Sequence, residues 1–334
     1  MRVSILDQTP LKVKGTPELA FNETAQLAKF ADQLGYTRYW VAEHHSTDAM
    51  GGSSPEVLLG YIAAITSNMR IGSGGVMLQN YSPYKVAENF KVLSALAPNR
   101  VDLGVGRSPG GLPNSTKALQ DLQLRDPDTY TEQLRQLQEY LGRVLPTSHP
   151  LRGLMTTPRT QFTPDLWLLG TSPSSAQLAA SMGLRYAFAY FSPGQEEQLY
   201  SAFREYRRSF VPHDGLHDPY GLAAIRVIAA DTDEEAEELA KTSIQFTFYL
   251  KKGRVLRMDS PEAWNEAELS LRDKELVDSI KQAHIIGSKE TILRRITELK
   301  EQYLFDELMA LSFIYDLDKR KESFRILQEA VSDL

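Results

Sequence analysis

The chain contains no cysteine in its 334 residues. Disulfides, thiolate metal sites and cysteine nucleophiles are therefore excluded. No run approaches the roughly 20 apolar residues of a membrane span. The opening MRVSILDQTP has too short an apolar run for a signal peptide and reads as a strand and a turn. The expectation is a soluble, cytoplasmic protein. Net charge is only −6, which argues against a general nucleic-acid or anionic-membrane surface but not against a small anionic ligand. No GxxxxGK[ST] occurs, and no lysine or metal cluster marks the strand ends. What remains is ordinary globular composition, 42% hydrophobic and 24% charged, with ample material for a core.

Alternation of strand and helix patterns runs through nearly the whole chain. Strands are expected at Val3–Leu6, Tyr39–Ala42, Ile71–Val76, Arg100–Val105, Asp165–Leu169, Arg185–Ala189, Ala223–Ala230 and Glu307–Leu311. Helices are expected between them, at Glu18–Leu34, Pro55–Thr66, from Pro83 to about Ala97, Thr129–Leu145, from Gly170–Ser175 to Gly183, Gln195–Phe210, Thr232–Phe246 and from Ser288 to about Tyr303. Residues 112–128 read as a polar loop, and Thr147–Thr163 as an irregular surface loop. About 249–287 reads as an insertion, too short for a core of its own, and 319–334 as a final amphipathic helix. Eight β/α units favour a single-domain (β/α)₈ TIM barrel with loop insertions over a doubly wound sheet, spanning 1–334.

Candidate chemistry lies at the C-terminal ends of the strands, where such barrels bind ligands. Two strands end in glycine, at Gly74–Gly75 and Gly104–Gly106, letting backbone approach a ligand. Gly104-Val-Gly-Arg-Ser-Pro109 begins like a dinucleotide fingerprint but has proline at the final glycine position. Arg107 either grips a phosphate-like anion or pairs with a neighbouring loop. Gly170, Thr171, Ser172 and Ser175 fall at a strand-to-helix junction rich in hydroxyls, read as an anion site or as ordinary capping by Ser172 or Ser174. Glu43, His44 and His45 close the second strand. Adjacent histidines point oppositely, so they do not chelate one metal easily; no metal is expected. With Trp40 and Ala42 inward, His44 reaches the mouth as a general acid or base, and Glu43 and His45 do not share its direction. Asp7 is a second titratable candidate, equally a turn residue, and Tyr81, Tyr84, Tyr190 and Phe191 line a ring pocket or fill core under the loops.

The blocks SILDQTP, RYWVAEHH, IGSGGVMLQNYSPYKVAENFKVL, RVDLGVGRSPGG, WLLGTSPSSAQLAA, LRYAFAYF and FDELM occur in that order. Together they resemble the bacterial-luciferase-like family of flavin-dependent oxidoreductases, across nearly the whole chain. The resemblance implies a TIM barrel, usually dimeric, that binds FMN or a deazaflavin. It implies that Gly74, Gly75, Val76 and Met77 face the flavin ring, often with a non-prolyl cis peptide there. It implies that Arg107, Thr171, Ser172 and Ser175 hold the FMN phosphate, with Gly170 opening that loop, and that His44 is catalytic. The stretch near Tyr249–Gly287 corresponds to a mobile loop over the site. The activity implied is a monooxygenase: reduced FMN and O₂ give a C4a-peroxyflavin that oxygenates a small aldehyde- or ketone-like substrate, with a separate flavin reductase as a possible partner. Light emission does not follow. The alternatives are flavin-dependent hydride transfer without oxygen insertion, a non-catalytic flavin-binding protein, and a phosphosugar isomerase or aldolase on the same barrel, which the missing strand-end lysine or metal site disfavours.

Overall fold

A computed structural model describes residues 1–142, 144–213 and 215–332. Its strands are β1 (Arg2–Asp7), β2 (Arg38–Val41), β3 (Arg70–Met77), β4 (Val101–Gly106), β5 (Asp165–Gly170), β6 (Arg185–Tyr190), β7 (Gly221–Ala229), β8 (His284–Gly287) and β9 (Glu307–Leu311). The helices are α1 (Pro17–Gln33), α2 (Pro55–Ile65), α3 (Pro83–Leu96), α4 (Pro113–Leu119), α5 (Tyr130–Leu141), α6 (Pro173–Ser181), α7 (Glu196–Ser209), α8 (Asp233–Lys251), α9 (Leu271–Gln282), α10 (Lys289–Tyr303) and α11 (Leu317–Ser332).

Neighbouring strands pair in parallel in the order β1 through β7, then β9, which returns to β1. This is a closed eight-stranded barrel with flanking helices, the (β/α)₈ arrangement expected from the alternation. Starts of the helices follow local chemistry: Pro17, Pro55, Pro83 and Pro173 each open one, where a missing N–H costs nothing. Thr232 accepts from the Glu235 amide at 3.1 Å at the start of α8.

Two apolar layers result. One lies between strands and helices and includes Ile5, Leu27, Phe90, Leu134 and Phe324. The other fills the barrel, with Leu6, Trp40, Trp167, Leu222 and Met309 packed together and the Trp40 and Trp167 rings edge to face at 5.2 Å. Below it, at the N-terminal end, a buried ionic cluster closes the barrel. Arg38 pairs with Asp102 and with Glu307, each at 2.7 Å, and Trp40 donates to Asp102 at 3.0 Å. Burial favours the neutral acid at Asp102, but Arg38 and Arg70 outweigh it and hold the pKa below the usual value. The barrel is thus plugged at one end and open only at the other.

Several boundaries differ from the sequence expectation. The stretch about 249–287 is not a plain insertion: it holds α9 and a ninth strand, β8, which pairs with the second half of β7 from Arg226 to Ala229. Helix α8 runs past Phe246 to Lys251, because Ile244 and Phe248 pack on Trp264, Val277 and Ile280 from that same stretch. The expected polar loop contains α4, a short helix with no buried residue. Gly142 follows the last residue of α5, short of Leu145. Helix α11 begins two residues earlier than expected, and Asp333 and Leu334 lie outside the described residues.

Candidate active site

Alternation along the strands carries chosen side chains from the plugged core to the open mouth. On β2 and beyond, Trp40 and Ala42 lie in the interior cluster and His44 follows at the mouth. On β7, Leu222 and Ala224 lie in that cluster and Arg226 follows. A period of two places each third member one layer higher.

The mouth opens into a cavity of about 710 Å³. His44, Gly74, Gly75, Met77, Arg107, Gly170, Thr171, Ser172 and Ser175 all line it. Residues separated by more than a hundred positions thus converge as expected. Val76 does not: its side chain is buried in the layer between strands and helices, because it has the opposite strand parity to the residues flanking it.

The Gly74–Gly75 peptide is cis, and the pairing of β3 with β4 shifts register between Gly74 and Val76. A Cβ at Gly74 would meet Leu6 at 2.7 Å, and one at Gly75 would meet the Gly104 carbonyl at 2.8 Å. Glycine there is accounted for by the packing of the barrel wall, so these two residues offer bare backbone to the cavity as a consequence. Gly106 differs. A Cβ there meets only Met77, at an ordinary 3.6 Å. No protein atom excludes a side chain at Gly106, which lines the same cavity.

At the other end of the cavity β5 turns into α6. Ser172 caps the helix, accepting from the Ser175 amide at 3.3 Å, while the Ser175 hydroxyl donates to the Ser172 carbonyl at 2.7 Å and contacts Tyr186 Oη at 3.0 Å. The capping alternative is therefore realised, by Ser172 with Ser175 rather than by Ser174. It does not use up the anion-binding capacity of the turn, because Thr171 and Ser174 are exposed and line the cavity beside the α6 amino end. Arg107 faces the same cavity from β4. Its guanidinium reaches only Asp128, at 4.0 Å, with both side chains largely exposed. An ion pair that long and exposed holds the arginine weakly. A weakly held cation, exposed hydroxyls, a helix N-terminus and bare backbone therefore line one cavity. This donor set suits a phosphate-bearing planar ring system such as FMN.

His44 lines the same cavity. Its Nδ1 is buried without a hydrogen-bond partner. Burial, and next the neighbouring His45, lower its pKa to about 4. The imidazole is therefore neutral at pH 7, with one ring nitrogen able to accept a proton. Glu43 borders the same cavity and is almost fully buried. Its carboxylate accepts from the Met77 amide at 3.1 Å and from Tyr81 Oη at 2.9 Å, and lies 2.7 Å from His45 Nε2. It ties the end of β3 to β2 beneath the cavity. This brace escaped the sequence reading, although a carboxylate closing an apolar strand was its signal. Asp7 has the structural role of the two considered: fully buried, it accepts from Thr24 at 2.7 Å, Tyr39 at 2.6 Å and Arg320 at 3.0 Å, tying α11 to β1. Tyr84 and Tyr190 bond to Met155 and Glu196, outside the cavity, whereas Phe191 lines it.

A second cavity of about 520 Å³ adjoins the first and shares Gln8, His44 and Phe191 with it. Its far wall comes from α8 and the chain just beyond, at Phe246, Leu250 and Val255. The stretch expected to cover the site contributes only this edge. Beyond it the chain is anchored, with Met258 bonded to Leu11 by its amide at 2.8 Å.

A barrel plugged below, with a phosphate-type donor set and a neutral histidine at its mouth, is an α/β barrel whose open end is shaped for an anionic ligand. The chain belongs to the luciferase-like monooxygenase family, whose sequence profile matches residues 1–307. It is 40% identical over 336 residues to the N-acetyl-S-alkylcysteine monooxygenase of Bacillus subtilis (strain 168), covering 99% of this chain and 98% of that one. The crystal structure of apo-MsnO8 superposes with a TM-score of 0.87 at 34% identity, covering 99% of this chain and 98% of that chain. A more distant barrel shows the fold alone, at 18% identity and a TM-score of 0.76 over 100% of this chain and 98% of that one. It is the oxygenating constituent of 3,6-diketocamphane monooxygenase from Pseudomonas putida, a type II Baeyer-Villiger monooxygenase, in complex with FMN. No described helix is long and apolar enough to cross a membrane.

Proposed function

We propose that this protein is a flavin-dependent monooxygenase that uses reduced FMN and O₂ to oxygenate a small organic substrate. The observation that carries the reading is the single cavity in which Arg107, the α6 amino end, the bare Gly74–Gly75 backbone and His44 converge. Arg107 and the Thr171–Ser175 turn bind the phosphate. The backbone from Gly74 to Met77 lies along the ring, and Gly106 leaves room for it. Bound reduced FMN supplies the electrons that activate O₂. The plugged barrel and its apolar interior exclude water from beneath the site. His44, neutral at working pH, takes up or returns a proton at a ring nitrogen. The second cavity receives the substrate, since it reaches His44 without overlapping the phosphate end. A separate reductase supplying the flavin and a homodimeric state are part of the same proposal.

Anaerobic titration with reduced FMN, oxidised FMN and a deazaflavin tests the cofactor assignment; preference for reduced FMN is expected, and preference for the deazaflavin would favour hydride transfer. Turnover under isotopically labelled O₂ tests the chemistry. Label in the product is expected, and its absence would exclude oxygen insertion.

A further inference from the structure

The second cavity contains a charge that the cofactor reading leaves unused. Arg226 is the one charged residue in β7, is 3% exposed, and borders this cavity but not the FMN cavity. Its Nη1 donates to the Phe191 carbonyl at 2.8 Å, and its Nε is buried with no partner. Its guanidinium carbon lies 5.3 Å from the centre of the Phe191 ring and 5.8 Å from that of Phe313. No carboxylate among the described residues pairs with it. Asp48, the acidic residue on the cavity wall, is held by Arg257 at 2.8 Å. The contrast with the rest of the barrel is sharp: Arg38, equally buried, is matched by two carboxylates. Burial lowers the Arg226 pKa to about 10, which still leaves it charged at neutral pH.

A buried cation without a counter-ion is costly unless something else completes it. The Arg226 side chain lines the cavity together with Phe191, Met50, Phe246, Leu250 and Val255. We propose that Arg226 is a specificity-determining residue that receives the carboxylate of an otherwise apolar organic acid in the second cavity, with the apolar part of the acid extending toward His44. The planar fork of a guanidinium matches a carboxylate with two parallel bonds. Lys251, at the cavity rim, adds a second positive charge on the approach. This inference rests on the assignment of the second cavity to substrate. It narrows the substrate class from any small organic molecule to a monoanion bearing a carboxylate.

Isothermal titration of the full-length protein without flavin separates the two readings. The probes are 3-phenylpropanoate and its neutral amide, 3-phenylpropanamide. Wild type should bind the acid about tenfold or more tightly than the amide, the scale of one charge-assisted bond. Arg226→Met should bring that ratio to about one, and Arg226→Lys should keep part of it. Equal binding of acid and amide by wild type, undetectable binding of the acid at millimolar concentration, or a preference that survives Arg226→Met overturns the proposal. Thermal unfolding of each variant establishes that it is folded, and Arg226→Lys supplies the charged control if Arg226→Met is not. FMN titration of the same variants should be unchanged, so failure of the acid preference is distinguishable from failure of the flavin assignment.

Discussion

Arg107→Ala tests the orientation of the cofactor in the cavity. The side chain is 62% exposed and reaches only Asp128, at 4.0 Å. Losing that pair should cost folding less than about 0.5 kcal/mol. Binding is another matter. A guanidinium on a phosphate forms charge-assisted bonds worth about 1.5–3 kcal/mol, but the exposure of this one argues for the lower end. The expected loss of FMN affinity is therefore about tenfold. Riboflavin carries the same ring without phosphate, and its affinity should change less than about twofold, since no phosphate contact exists to be lost. The assay is a fluorescence titration of both ligands against wild type and variant at two salt concentrations. The gap between FMN and riboflavin should narrow as salt rises, because the Debye length falls to roughly 8 Å at physiological ionic strength. Equal weakening of the two ligands, or no weakening of either, would refute the assignment of this end of the cavity to phosphate.

Gly106→Val places a branched side chain where only Met77 stands nearby, at 3.6 Å from the new Cβ. Urea denaturation should show a change within about 1 kcal/mol, since valine suits a strand, while FMN binding weakens at least about tenfold. A variant that binds FMN normally would show that the ring does not lie over β4. His44→Asn should keep FMN affinity and slow turnover about 10²- to 10⁴-fold in steady-state kinetics; unchanged kinetics would remove the proton-transfer role. The same variant has a pH signature. His44 has its folded pKa depressed from 6.5 to about 4, so protonation favours the unfolded chain, and stability is full above pH 6.5 and declines as pH falls toward 4. His44→Asn should remove up to about 3 kcal/mol of that decline. It should leave the part due to buried His284, lowered by burial and then Arg226 to about 3. Glu43→Ala strands the Met77 amide and the Tyr81 hydroxyl and should cost about 2–4 kcal/mol in denaturant unfolding.

The barrel was legible because short apolar strand runs alternate with helices, several of which open with proline. Pro17, Pro55, Pro83 and Pro173 mark four helix starts without reference to any distant contact. The convergence of strand-end residues on the larger mouth cavity was legible for the same reason, since strand ends in a barrel share one face. Strand β8 was not. Four residues, His284–Gly287, carry no period of their own, and they become a strand only because the second half of β7 offers free backbone. Helix α8 was cut short at Phe246 because the partner that extends it, Trp264, belongs to a stretch with no visible pattern. Val76 shows the limit of motif reading within a site. It lies in the middle of a cavity-lining run, yet parity turns its side chain into the core. Glu43 shows the opposite limit: its role depends on the Met77 amide and on Tyr81, 34 and 38 positions away, which no local pattern encodes.

Two cavities sharing one histidine impose an order on what the site can do. His44 borders both, whereas Arg107 borders only the first and Arg226 only the second. The two arginines therefore do not compete for one anion. On the proposed assignments each would fix the far end of a different molecule, and the ends left free would meet at His44. A phosphate held at Arg107 would leave a planar ring to run along the Gly74–Gly75 backbone toward that histidine. A carboxylate held at Arg226 would direct an apolar chain toward it from the other side. The depressed basicity of His44 suits that position. A permanently charged imidazolium there would need a counter-ion that the uncharged ends of the two ligands do not supply. A neutral ring needs none, and a ring nitrogen stays free to accept a proton during turnover.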